Sequence, residues 1–375
     1  MYKAITSGIS RRTVTGLGAL VAVTALTIGL GGCASQAGGT GTDTGTDTSA
    51  SAGSSAAAPK ITKIAFVAPE NETDLGWNQV GIANSKAAAD KLGLEYVSVP
   101  DAGWDNTETV LGQVIKDDGA QFVIAHASGY GVAAQTVSAQ MQVPILAQDS
   151  GLEPVPGQLA EALVEAQQGG YLAGIAAAMS TESKTVAVVI SADDVNWLNM
   201  AAGFAEGVYS VDSGITVLFG QISASGYADS AGGKSAVETV IAGGADVVFG
   251  MGDGATLGYI QAINAHPGVK YIADIGDVTA ALDDPGVLLT SVIWDYTATY
   301  EQAIKDVEAG TFGSKNYELT VGNGGLYLQD TPNLTAEIKA AVKTATDAID
   351  AGTIEPSGAK DSAAVKDVIA AKKAA

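Results

Sequence analysis

The chain has 375 residues, 47% of them apolar and only 16% charged, which is length and composition for two or three packed domains and not for a disordered chain. Nineteen Lys and Arg stand against 41 Asp and Glu, a net charge of −22, which argues against nucleic acid as a partner and against a basic patch on anionic lipid. One Cys and two His, His126 and His266, leave no material for a disulfide framework or a structural zinc site.

The N-terminus reads as an address. Lys3, Arg11 and Arg12 precede an apolar run from Val14 to Leu30 that is short and Gly-rich for a membrane span. The run ends in Leu30-Gly31-Gly32-Cys33, and Cys33 is the only Cys. This resembles a bacterial lipobox, which implies a signal peptide over 1–32 and a diacylated Cys33 as the new N-terminus. The protein is then expected at the cell membrane, lipid-anchored on its extracytoplasmic face. Residues 33–60 are almost wholly Gly, Thr, Ser, Ala and Asp and are expected to be a flexible tether.

Beyond the tether, short apolar runs alternate with helix-like segments. Strands are expected at 64–67, 94–99, 121–125 and 144–147, with helices at 80–92, 107–117 and 132–141 between them. The same order then repeats: strands at 185–190, 215–221, 246–249 and 270–273, helices at 198–209, 234–242 and 257–265. Details repeat too. Gly119-Ala120-Gln121-Phe122-Val123 parallels Gly244-Ala245-Asp246-Val247-Val248, and Asp149 parallels Asp274. Trp77 and Trp197 follow the first strand of their halves, and Trp104 and Tyr227 the second. Continuous apolar strands alternating with helices predict an α/β fold of two doubly wound parallel-sheet lobes with a hinge. A further strand is expected at 288–294, a helix at 298–309, an extended piece at 319–328, and two C-terminal helices around a turn at 352–358. Lobe 1 is thus expected over 61–150 with 288–312 returning to it. Lobe 2 is expected over 151–287 with 313–330 returning, followed by a helical segment at 331–375. The hinge is expected near Asp149–Gly157 and Asp283–Gly286.

Enzyme signatures are weak. Gly233-Lys234-Ser235 lacks the first Gly of a phosphate-binding loop, and Lys234 reads as a helix-start residue. Gly250-Met251-Gly252-Asp253-Gly254-Ala255 fits a dinucleotide fingerprint, with Asp274 near the ribose-acid spacing, but it sits deep in the second half. Neither an enzyme nor a cofactor is expected. His126 ends a strand and reads first as a structural His. All four Trp fall at strand ends or in loops, where ligands of doubly wound sheets bind. Trp77, Trp197 and Trp294 offer faces for a ring. Asp74, Asn78, Tyr130, Asp149, Asp253, Asp274 and Asp277 offer polar groups around it, though a single Asp is as readily an N-cap or turn former.

Five stretches in this order make the chain similar to the basic membrane protein family of bacterial substrate-binding lipoproteins. They are Asp74-Leu75-Gly76-Trp77-Asn78, Gly170-Tyr171-Leu172-Ala173-Gly174-Ile175-Ala176-Ala177, Gly203-Phe204, Gly243-Gly244-Ala245-Asp246-Val247-Val248, and Leu289-Thr290-Ser291-Val292-Ile293-Trp294. The resemblance covers roughly 61–330. It implies a type I periplasmic-binding-protein fold, a small-molecule ligand and an ABC permease as partner. From the family's nucleoside receptors it implies a ring at Trp77 that stacks on a base, an Asn78 that bonds it, and a ribose-binding acid at Asp274 or Asp277. Those receptors have a Lys where this chain has Trp294, which shifts the expectation toward a free nucleobase or another small ring. The expected function is capture of a purine nucleoside or nucleobase for an ABC importer by lobe closure, by a monomer. The alternatives are a sugar-binding or sensory receptor of the same fold and, behind them, a dinucleotide-dependent enzyme.

Overall fold

Each strand of the central pairs buries both faces, and that requirement organises the molecule. The computed structural model describes residues 60–373; the expected signal peptide, Cys33 and all of the tether but Lys60 lie outside the described residues. In β1 (Lys63–Val67), Ile64 and Phe66 point to one apolar layer while Ala65 and Val67 point to another. Helix α1 (Trp77–Leu92) follows, ended by Gly93 in the left-handed region that Gly adopts without strain. Then come β2 (Glu95–Val99), α2 (Thr107–Lys116), β3 (Phe122–Ala125), α3 (Gly131–Met141), β4 (Ile145–Gln148) and β5 (Leu159–Val164). Helix α4 (Ala166–Ser180) opens the second half, with β6 (Thr185–Ile190), α5 (Val195–Val211), β7 (Thr216–Gln221), α6 (Ser230–Ala242), β8 (Val247–Met251), α7 (Thr256–Asn264), β9 (Lys270–Ile275) and β10 (Leu288–Trp294). Helix α8 (Thr297–Ala309), β11 (Tyr317–Leu319), β12 (Leu326–Leu328), α9 (Ala336–Asp350) and α10 (Ser362–Lys373) complete the chain.

Two six-stranded sheets result, in the orders β11-β5-β4-β3-β1-β2 and β12-β10-β9-β8-β6-β7. The orders correspond strand for strand, and every pairing is parallel except β10 with β12. The α/β two-lobe fold expected from the repeat is therefore the fold observed.

The lobe boundaries need correction. Strand β5 pairs with β4, so residues beyond 150 stay in the first lobe up to Val164. Strand β10 pairs with β9, so 288–294 completes the second sheet and does not return to the first. Of 288–312 only the part after β10 returns, as α8, which packs on α1. The stretch at 319–328 is two strands in different sheets, β11 beside β5 and β12 beside β10. The chain thus crosses between lobes at Glu165, at Asp295–Tyr296 and at 320–325. The expected hinge segments are not crossings: 149–157 joins β4 to β5 within one sheet, and 283–286 joins β9 to β10 within the other.

Helices α4 and α5 pack backbone to backbone. A Cβ on Gly170 or Gly174 would overlap the carbonyl oxygens of Met200 or Phe204, and one on Gly203 or Gly207 those of Gln167 or Tyr171. The glycine-rich marks at 170–177 and 203–204 therefore serve this crossing. α10 packs against the outer side of α5, with Val365 fully buried.

Candidate functional site

The carboxyl ends of the central strands of both sheets face one another around a cavity of about 330 Å³. It is lined from the first lobe by Pro69, Glu70, Trp77, Asn78, Trp104, Ser128 and Asp149. Asp194, Val195, Asn196, Trp197, Tyr227, Asp253, Ile275 and Trp294 line it from the second.

The two tryptophans at the helix starts each follow an Asp that takes up N–H groups of the first turn. Asp74 accepts from the N–H groups of Gly76 (2.9 Å), Asn78 (3.1 Å) and Gln79 (3.1 Å), and from Asn78 Nδ2 (2.8 Å). Asp194 accepts from the N–H groups of Asn196 (2.9 Å) and Trp197 (3.3 Å). Each Asp satisfies the orphan donors of a first helical turn, and three residues on a Trp is delivered to the cavity. The Trp77 ring lies 4.1 Å from the ring of buried His126, whose Nε2 bonds the Trp77 carbonyl at 3.0 Å. Burial lowers the His126 pKa to about 3, so it supports Trp77 as a neutral ring. Trp77 Nε1 donates to Tyr296 Oη at 3.2 Å, on the crossing between β10 and α8. Trp197 packs on Tyr227 with ring centroids 5.3 Å apart and donates from Nε1 to Asp274 Oδ2 at 3.1 Å.

Two hydrogen bonds bridge the lobes across the cavity. Trp77 N–H donates to Asp253 Oδ1 at 3.1 Å, and Asn196 Nδ2 donates to Asp149 Oδ2 at 3.1 Å. The backbone is strained where the lobes meet. Asp149, Asp253 and the β-branched Ile275 all have positive φ (42°, 42° and 64°). Gly276 N–H bonds the Asp274 carbonyl at 2.7 Å, closing a tight turn around Ile275. Such residues cost about 1–3 kcal/mol each and persist where surrounding structure holds them, often at binding sites.

The lining and the residues that support it are acidic. Burial, aided by the charges of Asp194 and Glu161 and opposed by the Asn196 hydrogen bond, pushes the Asp149 pKa up to about 7. Burial raises Asp274 to about 8 against the Trp197 hydrogen bond. Asp253 is raised well above the ordinary value by burial and by Asp74, and Asp194 by burial. Glu70, beside Asp74 and Asp101, is raised as well, first by burial.

Of the residues singled out from sequence, Trp77, Asn78, Asp149, Trp197, Asp253 and Trp294 line the cavity. Four others lie outside the lining. Asp74 caps α1, and Asp274 holds the Trp197 indole from behind. Tyr130 bonds the Gly103 carbonyl and props the exposed ring of Trp104 edge-on at 5.9 Å. Asp277 accepts from Thr279 N–H (2.8 Å) in an exposed turn. Asp194 and Asn196 were not singled out, yet Asp194-Val195-Asn196-Trp197 repeats the spacing of Asp74-Leu75-Gly76-Trp77, a signal present in the sequence. Gly250 and Gly252 have a different use from phosphate binding: a Cβ on either would run into the Tyr259 ring. Lys234 pairs with Glu238 at 3.0 Å on α6.

A family model described as ABC transporter substrate-binding protein PnrA-like matches residues 61–352. A solute-binding protein of an ABC transporter system from Conexibacter woesei DSM 14684 superposes with a TM-score of 0.67 at 20% identity, over 79% of this chain and 99% of that one. Another from Aeropyrum pernix K1 gives 0.70 at 17% identity, over 84% and 98%. A transcriptional activator of the comK gene from Bacillus halodurans gives 0.66 at 17%, over 79% and 100%. At these identities the structures speak to fold alone, and the fold hosts more than one role. A search of curated proteins found no match.

Proposed function

The chain belongs to the Bmp family of PnrA-like ABC transporter substrate-binding proteins, and we propose that it captures a purine nucleoside or nucleobase and delivers it to an ABC permease. A substrate-binding protein of such a system works outside the cytoplasm on a small molecule with a permease as partner. The purine is our reading of the cavity. The observation that carries it is the pair of indoles, Trp77 and Trp197, presented to one cavity from opposite lobes, each three residues after an Asp that accepts from first-turn N–H groups. A flat ring between them gains stacking of about 0.5–1.5 kcal/mol per aromatic pair beyond burial.

Buried Asn78 and Trp294 add polar specificity. Asn78 Oδ1 and Trp294 Nε1 have no hydrogen-bond partner among the described residues. The first suits a ring N–H or amino group, the second a carbonyl or ring nitrogen. Asp149, Asp194 and Asp253 suit further N–H or hydroxyl donors and oppose phosphate, so nucleotides are excluded from this reading. Closure about the crossings at Glu165, Asp295–Tyr296 and 320–325 brings the second indole to the ring. Anchoring through a lipidated Cys33 is part of the same proposal; among the described residues no helix is long and apolar enough to cross a membrane. The test is mass spectrometry of the small molecule released on denaturing the purified protein. A purine supports the reading; a hexose replaces it with sugar capture.

A further inference from the structure

The cavity has an imbalance of charge that stacking on a neutral ring does not address. Glu70, Asp149, Asp194 and Asp253 all line it, and among the described residues no Lys, Arg or His does. None of the four joins an ion pair among the described residues. Asp253 is buried and the other three are half-buried, and two more acids, the buried Asp74 and Asp274, stand directly behind lining residues Asn78 and Trp197. Carboxylates gathered out of water are costly unless protons or a cation balance them. Backbone and amide donors relieve part of this, at Asp194, Asp149 and Asp253.

The other half of the lining suits a cation as well. Trp77, Trp104, Trp197 and Trp294 surround the same space, with Tyr227 beside Trp197. Indole faces attract positive charge more strongly than any other side-chain ring. A metal ion does not fit this lining: among the described residues no group of three His, Cys, Asp or Glu side chains could hold one, and hard cations want oxygen shells, not ring faces. Independently of charge, the unpartnered Oδ1 of Asn78 and Nε1 of Trp294 call for an occupant with both a donor and an acceptor. Asn78 is 3% exposed and Trp294 2% exposed, so water outside the cavity does not serve them.

We propose that the ligand is bound as a cation, a planar nitrogen heterocycle whose positive charge lies among the Trp faces and the carboxylates of Glu70, Asp149, Asp194 and Asp253. This rests on the reading of the cavity as a capture site for a small ring and deepens it by assigning the ring a charge. The raised proton affinity of Asp149 agrees with it, because a cation entering the site takes the place of the proton held there.

Calorimetric titration of the purified protein near neutral pH with two matched pairs tests the proposal. The first pair is 1-methyladenosine, a cation under these conditions, against neutral adenosine. The second is 1-methylnicotinamide, a permanent cation, against neutral nicotinamide. The cationic member is expected to bind at least about tenfold more tightly than its neutral partner, equivalent to about 1.4 kcal/mol. Adenosine binding as tightly as 1-methyladenosine, or more tightly, overturns the charge and leaves purine capture standing. Binding of 1-methylnicotinamide with neither nucleoside bound upholds the charge and removes the purine. If none of the four binds, the compound released from the denatured protein decides: a cation upholds the proposal, and a neutral compound, an anion or no compound overturns it.

Discussion

Replacing Trp197 separates a ligand-facing ring from a plug in the wall. The side chain is 2% exposed, lies 5.3 Å from the Tyr227 ring and donates to Asp274 at 3.1 Å. Trp197→Ala removes one stacking face, about 0.5–1.5 kcal/mol, together with the apolar wall that desolvates a ring. The sum is expected to weaken binding about tenfold or more, at about 1.4 kcal/mol per decade. The same change costs stability, about 3–5 kcal/mol for a Trp truncation in a packed site, and leaves Asp274 without its indole partner. Trp197→Phe controls for this. It keeps an aromatic face and loses only the Nε1–H bond, worth about 0.5–1.5 kcal/mol, so binding should fall by less than in the Ala variant. The assay is calorimetric titration with whichever of guanosine, adenosine, guanine and adenine binds the wild type best, alongside thermal melts. The parallel pair Trp77→Ala and Trp77→Phe is expected to behave alike, with the Phe variant losing the bond to Tyr296. If both Ala variants remain folded and bind like wild type, the two rings are plugs and the ring-sandwich reading fails.

Four other outcomes are expected. The ligand-free protein should be more stable in mild acid than at neutral pH. The Asp149 and Asp274 carboxyls rise from 3.8 to about 7 and about 8, so the folded state holds protons the unfolded chain has released; their contribution is full below about pH 4, declines as pH rises to the folded values and is flat above them. At about 1.4 kcal/mol per unit the Asp149 part alone is at most about 4 kcal/mol, read from denaturant midpoints across pH; constant or rising stability between about pH 4 and 7 contradicts it. Gly203→Ala should destabilise by about 3 kcal/mol or more, since its Cβ would overlap the Gln167 carbonyl, and a melting temperature unchanged from wild type would show that α4 and α5 can part cheaply. Asn196→Ala removes the bridge to Asp149 and should leave the scattering radius larger than wild type at saturating ligand, whereas equal radii would take that bridge out of closure. Cys33→Ala should move the protein from membrane to soluble fractions with ligand affinity unchanged; membrane retention or lost binding refutes the anchor-and-tether arrangement.

Local pattern determined a large part of this protein. Apolar runs bounded by polar loops locate β1 through β4 and β6 through β10; the central ones are apolar throughout because both faces are buried, and the edge strands β2 and β7 are only partly so. The repeated order made two lobes the expected answer. In parallel doubly wound sheets the carboxyl ends of strands form the ligand face, so Trp77, Asp149, Trp197, Asp253 and Trp294 could be assigned to one cavity from their positions alone. Other features were present but unread, such as the second Asp-x-x-Trp at 194–197.

What the tertiary structure decided is whatever depends on partners distant in sequence. Nothing in the letters of β5, β10, β11 and β12 says which sheet each joins, and only their pairing with β4 and β9, and then with one another, assigns each to a lobe. That assignment moved the hinge from 149–157 and 283–286 to three crossings elsewhere. Whether an Asp caps a helix, as Asp74 does, or lines a cavity, as Asp253 does, depends on where its oxygens find donors. The same holds for charge: ordinary carboxyls become proton-holding groups at Asp149 and Asp274 only when folding carries them out of water, each within reach of the Asp194 charge. Desolvation and hydrogen bonding between remote segments are properties of the assembled site, so no window along the chain contains them.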